Sequence, residues 1–189
     1  MCIRDRASTL KVQNIAHTGG TTALTVDSSG RVLQPTKPAF RVEKRASNQG
    51  SLANGVNTAV TFEHEVFDIG GNFANNKFTA PITGIYHFES CCRVYPTGAS
   101  GGQFTLAQLS LYKGGSKFTE LTQHASHANN LGGGEAWLGN LNINGSATLS
   151  LNAGEEIEVY VYLVGSGQTF VINADALGRT TYFSGFLIG

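Results

Sequence analysis

Apolar and polar residues alternate with a period of two along most of this chain. The clearest case is the stretch 156–163, where Ile, Val, Val and Leu alternate with Glu and Tyr. A second long stretch, 85–95, places Tyr86 and Phe88 at the same spacing. Alternate side chains of a β-strand point to one face, so both stretches predict strands with one face in a core. No segment shows a helical period, and the pattern predicts an all-β protein.

Turn signals separate the predicted strands. Asn144-Gly145 is the strongest two-residue hairpin signal in the chain and interrupts the apolar pattern between Trp137 and Leu151. A change of phase within the strand 103–112 predicts a β-bulge near Ala107. About ten strands result from this division, and a two-sheet sandwich or jelly roll hides the edges of that many strands.

The N-terminal part of the chain has a different character. Residues 1–6 carry alternating charges and match no later pattern, so we expect a leader that is non-native or disordered. Residues 7–37 read as a meander of very short strands that ends in a stiff connector containing Pro35. So few apolar residues do not stabilise a sheet alone, which implies partner chains or a docking surface. We expect the main domain to occupy residues 38–189.

Charge and hydropathy exclude several classes of partner. The chain has 13 basic and 13 acidic residues, and charged residues make up only 14% of it. Such a chain has no electrostatic footprint for nucleic acid. No window reaches the roughly 20 apolar residues that a membrane-spanning helix needs, so we expect no membrane insertion.

Candidate chemistry is sparse. The sequence contains no Gly-x-Ser-x-Gly elbow, phosphate-binding loop or His-Glu-x-x-His helix, which predicts a protein without catalytic residues. His124 and His127, with Glu120 upstream, suggest a metal site, but in a strand this spacing puts the two rings on opposite faces. We therefore predict no bound cofactor or metal. Calcium is the one alternative, held by three acidic side chains and loop carbonyls: Glu63, Glu65 and Asp68.

Two outward-facing tyrosines predict a subunit interface. Tyr160 and Tyr162 project from the polar face of the strand 156–163, where a covered aromatic pair is more common than a solvated one. The final strand, 181–188, is apolar on both faces and should be central in its sheet or pressed against another chain. We add Tyr182 and Phe186 from this strand to the candidate interface.

Recognition is expected on two polar loops, 98–102 and 126–134, because a rigid sandwich carries its binding groups on loops. The candidate residues in and beside them are Ser100, Gln103, His127, Asn129 and Asn130.

Three stretches carry a family resemblance. The arrangement Phe-(five residues)-Gly-x-Tyr-x-Phe is similar to the signature of the globular head domain of complement subcomponent q, in the tumour necrosis factor-like jelly-roll superfamily. The stretches 149–157 and 183–187 also resemble later strands of that family. The residues that carry the signature are Phe78, Gly84, Tyr86, Phe88, Phe183 and Gly185.

The resemblance implies a ten-stranded jelly roll that assembles as a homotrimer. The N-terminal meander resembles the stalk segments of bacterial virus fibres, and it lacks the glycine at every third position that a collagen stalk requires. These features favour a trimeric tail-fibre or virion decoration head that attaches to a glycan or protein receptor on a host surface. The N-terminal segment would then contact other virion proteins. The alternative is a cellular surface or secreted lectin-like adhesin with the same head.

Overall fold

A computed structural model describes residues 11–97, 103–125, 137–138, 140–165, 169–178 and 180–189. The chain divides into two compact units, Met1–Lys37 and Pro38–Gly189. The described residues form strands and turns throughout, which confirms the prediction of an all-β protein. The described part of the chain contains no helix of the length and apolar character needed to cross a membrane.

The N-terminal unit contains a small antiparallel sheet. Its strands are paired in the order β1-β2-β3 and have the bounds Asn14–Ala16, Thr22–Val26 and Val32–Leu33. Asp27 shapes the second turn, because its Oδ1 atom accepts hydrogen bonds from the backbone N–H groups of Ser29 and Arg31. Gly30 follows with a φ of 80°, a left-handed conformation that glycine adopts without strain.

The C-terminal unit, here called the head, contains the remaining strands. They are β4 (Ala39–Glu43), β5 (Gln49–Leu52), β6 (Asn57–Ala59), β7 (His64–Ile69), β8 (Phe73–Ala74), β9 (Lys77–Thr79), β10 (Gly84–Thr97), β11 (Gln103–Lys113), β12 (Ser116–Ala125), β13 (Trp137–Leu138), β14 (Leu141–Leu151), β15 (Glu156–Gly165), β16 (Thr169–Ile172) and β17 (Tyr182–Leu187). The predicted count of ten is not confirmed, because short segments such as β5, within a region that reads as a loop, also pair.

The head strands form two sheets, each named here after one of its central strands. In the β10 sheet, β14 pairs with one edge of β10. The other edge of β10 pairs with β17, which is followed outward by β4 and β7. A further part of β10 pairs with β16, which is followed by β5. In the β15 sheet the order is β12-β11-β15-β9-β8, with β13 beside β11 and β6 beside β15. The prediction that the last strand is central is confirmed, since β17 lies between β10 and β4.

The core lies between the two sheets and is rich in aromatic rings. Phe40 stacks on Phe78, with ring centroids 4.8 Å apart, and meets Phe183 edge to face at 4.9 Å. Phe88 contacts Phe78 at 5.5 Å, and all four rings are fully buried. The predicted inward faces of 85–95 and 156–163 are those that the structure buries, because period-two patterning places every second side chain between the sheets.

Two positions of the signature favour glycine because of side-chain packing and not because of a turn. A Cβ atom on Gly185 would lie 2.5 Å from Cδ1 of Phe88 and 2.9 Å from Cε1 of Phe40. A Cβ atom on Gly84 would lie 2.7 Å from Cδ1 of Leu187. Gly185 excludes a side chain because two packed aromatic rings occupy the space, whereas at Gly84 the terminal methyl group of Leu187 would have to shift.

The interpretation of Asn144-Gly145 as a hairpin is wrong. These residues lie within β14, which runs unbroken and pairs with β10 along eleven successive positions. Gly145 is required for a different reason, since a Cβ there would lie 2.6 Å from the backbone oxygen of Leu121 in β12. The predicted bulge near Ala107 occurs close to its expected place, with a register shift between Phe104 and Leu106.

Candidate assembly face

The outer surface of the β10 sheet combines an apolar half with a polar half. We name this surface the β10 face. Backbone pairing places Ile69, Ala39, Phe186 and His87 in one row across β7, β4, β17 and β10. Directly opposite residues of a sheet share one face, so these four side chains lie side by side on the solvent side.

The apolar half is partly open to water. Its large side chains are between 39% and 49% exposed, and they are Phe67, Ile69, Ile85, Phe186 and Ile188. The ring of His87 lies among them, with its centroid 5.4 Å from that of Phe186. A contiguous group of exposed apolar side chains on one sheet is typical of a protein–protein contact surface.

The polar half is a chain of charged and hydroxyl groups across three strands. Glu43 accepts hydrogen bonds from Nε of Arg41 at 2.7 Å and from Nε of Arg45 at 2.8 Å. The Arg41 guanidinium carbon lies 4.1 Å from the centre of the Tyr182 ring, a cation–π contact. The Tyr182 hydroxyl then donates to Oε1 of Glu89 at 2.6 Å. Each group of this network has a partner within its own subunit.

Burial and neighbouring charges shift the pKa values of this network. Burial would raise the pKa of Glu43, but the hydrogen bonds and charges of Arg41 and Arg45 outweigh it and hold that pKa below its ordinary value. Burial, together with the hydrogen bond to Glu89, raises the pKa of Tyr182 well above its ordinary value. Glu43 is therefore charged and Tyr182 neutral at physiological pH.

Two cysteines of β10 lie on opposite sides of the same sheet. Cys91 is half-buried on the β10 face, opposite Tyr182, and burial raises the pKa of its thiol. Cys92 is fully buried in the core, and burial raises the pKa of its thiol strongly. Thiols in such settings are poor nucleophiles, because the reactive thiolate is disfavoured.

A second aromatic group lies on the outer surface of the β15 sheet. Tyr160 stacks on Tyr112 of the neighbouring strand with ring centroids 3.9 Å apart. Tyr162 lies two residues further along β15, in register with Gln108 and Asn57. Burial, and then the charge of Glu158, raises the pKa of Tyr160. We name this surface the β15 face.

The structure therefore divides the four predicted interface residues between two surfaces. Tyr182 and Phe186 lie on the β10 face, whereas Tyr160 and Tyr162 lie on the β15 face, at the opposite side of the sandwich. No single flat contact can contain all four. The interface role of Tyr160 and Tyr162 stays a prediction that needs a second contact surface.

Sequence reasoning missed most of the apolar half of the β10 face. A usable signal was present at Ile85, which shares parity with His87 and therefore points away from the buried Tyr86. Phe67 and Ile69 lie on either side of Asp68 in β7 and therefore point to one face in the same way. β7 is an edge strand, and its burial pattern lacks clear alternation. Arg41 and Glu89 gave no signal, because each contacts Tyr182 of β17, and β17 lies between their two strands only in the folded sheet.

Of the five predicted recognition residues, the structure describes only Gln103. Ser100, His127, Asn129 and Asn130 lie outside the described residues. Gln103 begins β11 and pairs through its backbone with Leu138 of β13.

The candidate calcium ligands are engaged in other contacts or spread along the edge of the sheet. Oε1 of Glu63 accepts hydrogen bonds from the backbone N–H groups of Arg45 and Ala46, and Oε2 lies 3.4 Å from Nζ of Lys44. Oδ2 of Asp68 accepts from the backbone N–H of Phe73. Within the described ranges, no group of three or more His, Cys, Asp or Glu side chains is arranged to hold a metal ion.

Comparison with known proteins agrees with this architecture. A family model described as the C1q domain matches residues 39–188 of the chain. Among solved structures, murine APRIL at pH 8.0 superposes with a TM-score of 0.52 and 10% identity, covering 80% of this chain and 98% of that chain. The globular domain of zebrafish complement 1qA protein gives a TM-score of 0.49 and 19% identity, covering 81% and 98%.

At 10% identity the likeness to murine APRIL concerns the fold alone, and together with the family model it confirms the predicted jelly roll. A comparison with curated proteins found no match.

Proposed function

Because the chain belongs to the C1q domain family, whose members typically form trimers, we propose that its head assembles as a homotrimer through the β10 face. The observation that carries this proposal is the apolar half of the β10 face, with its five half-exposed side chains on one side of the sandwich. Covering them removes apolar surface from water, which is the main driving force of association.

The polar half of the β10 face suits the same role. A charge that enters an interface without a partner costs several kcal/mol, roughly 3–5 for a broken buried pair. Here Arg41, Glu43, Tyr182 and Glu89 are already paired within one subunit. The network therefore enters a contact with its hydrogen bonds satisfied, and its fixed geometry orients the subunits.

A threefold assembly uses two different surfaces of each subunit, because its contacts run head to tail around a ring. The β10 face supplies one of them in this proposal. The second surface is not fixed by the described contacts, and the tyrosines of the β15 face remain candidates for it.

Within this assembly, we propose a binding role without catalysis. The trimer presents three copies of each loop at the ends of its sandwiches, which suits multivalent attachment to a glycan or protein receptor. A stalked virion fibre or decoration protein is the leading setting, supported by the N-terminal unit of short strands and tight turns. The alternative is an extracellular adhesin with the same head. The gene neighbourhood of the coding sequence distinguishes the virion protein from the adhesin.

Sedimentation analysis of the full chain tests the assembly. The wild-type protein should sediment as a trimer at micromolar concentration, and Phe186→Ser should shift it towards monomer. Phe118→Ser is the matched control, because Phe118 is 44% exposed, close to the 47% of Phe186, but lies on β12 of the other sheet. A monomeric wild-type protein, or a Phe186→Ser variant that still sediments as an intact trimer, would contradict the proposal.

Receptor binding needs a separate measurement. A screen of the labelled trimer against an array of surface glycans should give binding that the monomeric Phe186→Ser variant loses through reduced avidity. Binding of equal strength by monomer and trimer would argue against a multivalent attachment protein.

A further inference from the structure

One face of the N-terminal sheet is apolar and uncovered. Backbone pairing places Ile15 opposite Leu24 and Val26 opposite Val32. Leu24 and Val26 are two residues apart on one strand, so all four side chains share a face. Ile15 is 49% exposed and Val32 61% exposed. We name these four residues the stalk face.

The described residues of the N-terminal unit form no buried core. None of the residues 11–37 is buried, and the first buried residue of the described chain is Pro38, which belongs to the head. A three-stranded sheet needs a covered apolar face to be stable in water. The described residues 11–37 supply no such cover for the stalk face.

The shape of the sheet is nevertheless fixed by local contacts. Asp27 accepts two backbone hydrogen bonds of 2.9 Å within the second turn, and its Oδ2 atom pairs with Nε of Arg31 at 2.6 Å. In the first turn, Nδ1 of His17 accepts from the backbone N–H of Gly19 at 3.1 Å. Both turns are closed by their own side chains, so local contacts favour the strand pairing that creates the stalk face.

We infer that the stalk face packs against the stalk faces of two further copies of this chain, so that three small sheets enclose one shared apolar core. This inference rests on the proposed homotrimer. Five residues separate Leu33 from Ala39, so six Cα–Cα steps join them, and a fully extended chain of that length spans at most about 22 Å. A trimer of heads therefore holds three stalk faces at a high effective concentration, in the millimolar range for short linkers.

The chemistry of the stalk face agrees with a contact between identical copies. Its four side chains are aliphatic and uncharged, so three equal surfaces meet without repulsion between like charges. The opposite face of the sheet is more polar, with Asn14 and Thr25 joined by a hydrogen bond of 3.0 Å. The only large apolar side chain paired there is Leu33, opposite Thr25.

Hydrogen exchange of the full-length protein, combined with sedimentation, tests the inference. In the wild-type trimer, the amides of 14–33 should exchange at least about tenfold more slowly than in an unstructured peptide. The double variant Ile15→Ser with Val32→Ser should lose this protection while the heads still sediment as a trimer. Leu33→Ser, which makes the same kind of change on the opposite face, should keep it.

Four results would overturn the inference. A wild-type trimer without protection of 14–33 would do so and would leave the proposed trimer of heads standing. Equal loss of protection in Leu33→Ser would show that the wrong face was assigned. Protection that persists in the monomeric Phe186→Ser variant would show that the stalk face is covered within its own chain. A monomeric wild-type protein would overturn the proposed trimer and this inference together.

Discussion

The hydroxyl group of Tyr182 on β17 donates a 2.6 Å hydrogen bond to Oε1 of Glu89 on β10, while Arg41 of β4 covers the ring of the same tyrosine. Side chains thus join three neighbouring strands of the β10 sheet that are already joined by backbone hydrogen bonds. The contact fixes the side-chain conformation of the polar half of the β10 face before any subunit binds it.

Tyr182→Phe should destabilise the head modestly, because it removes one hydrogen bond to a carboxylate that remains accessible to water. We expect a loss of about 1 kcal/mol or less in the free energy of unfolding. Urea denaturation at one fixed protein concentration measures it. A double-mutant cycle with Glu89→Ala should give a coupling energy above zero, and a coupling of zero would show that the contact contributes nothing.

The double variant Tyr160→Ser with Tyr162→Ser tests whether the β15 face takes part in assembly. If this face supplies the second surface of the head-to-tail contact, the variant should dissociate the trimer as Phe186→Ser does. Tyr112→Ser serves as the control, because it removes the stacking partner of Tyr160 while Tyr112 itself is only 7% exposed. If the double variant still sediments as an intact trimer, Tyr160 and Tyr162 do not belong to the interface.

Gly185→Ala should destabilise the head through overpacking, since its Cβ would overlap the rings of Phe88 and Phe40. Overpacking of this kind costs about 1–3 kcal/mol. Gly50→Ala is the matched control, because Gly50 also lies in a strand and its added Cβ would lie 3.9 Å from the nearest atom, Cγ2 of Val171. Urea denaturation compares the two variants, and equal stability would mean that the core relaxes around the added methyl group.

Acid should destabilise the head partly through Glu43. Its pKa in the folded protein lies below the ordinary value of 4.5, because the hydrogen bonds from Arg41 and Arg45 outweigh the effect of burial. A depressed folded-state pKa contributes stability above pH 4.5, and this contribution is lost as the pH falls below 4.5 through the folded-state value.

Glu43→Gln should therefore lower the free energy of unfolding at pH 7 and make its decline between pH 4.5 and pH 3 shallower. Urea denaturation across that range measures both effects. Glu65→Gln is the control, since Glu65 is an exposed carboxylate on β7. Glu63 also has a lowered pKa, so part of the acid sensitivity should remain in Glu43→Gln. An unchanged pH profile would show that the Arg41–Glu43–Arg45 contact does not stabilise the folded state.

The sequence by itself determined the buried faces of β10 and β15. In β15 every second side chain is apolar, and in β10 only Ser90 interrupts the buried row between Tyr86 and Val94. A strand can bury only one face against a facing sheet, so local spacing was sufficient. The glycine and aromatic positions of the signature were also readable, because they follow one another within a few residues of the same strands.

Only the tertiary structure decided which outward faces lie together. Tyr162 and Tyr182 look alike in sequence, but their strands belong to different sheets, and strand order depends on pairing between distant segments. The same reason explains Gly145, whose local sequence favours a turn while the backbone of Leu121, from another strand, requires a residue without a side chain. The apolar half of the β10 face likewise exists only because β7, β4, β17 and β10 are neighbours, which no local pattern specifies.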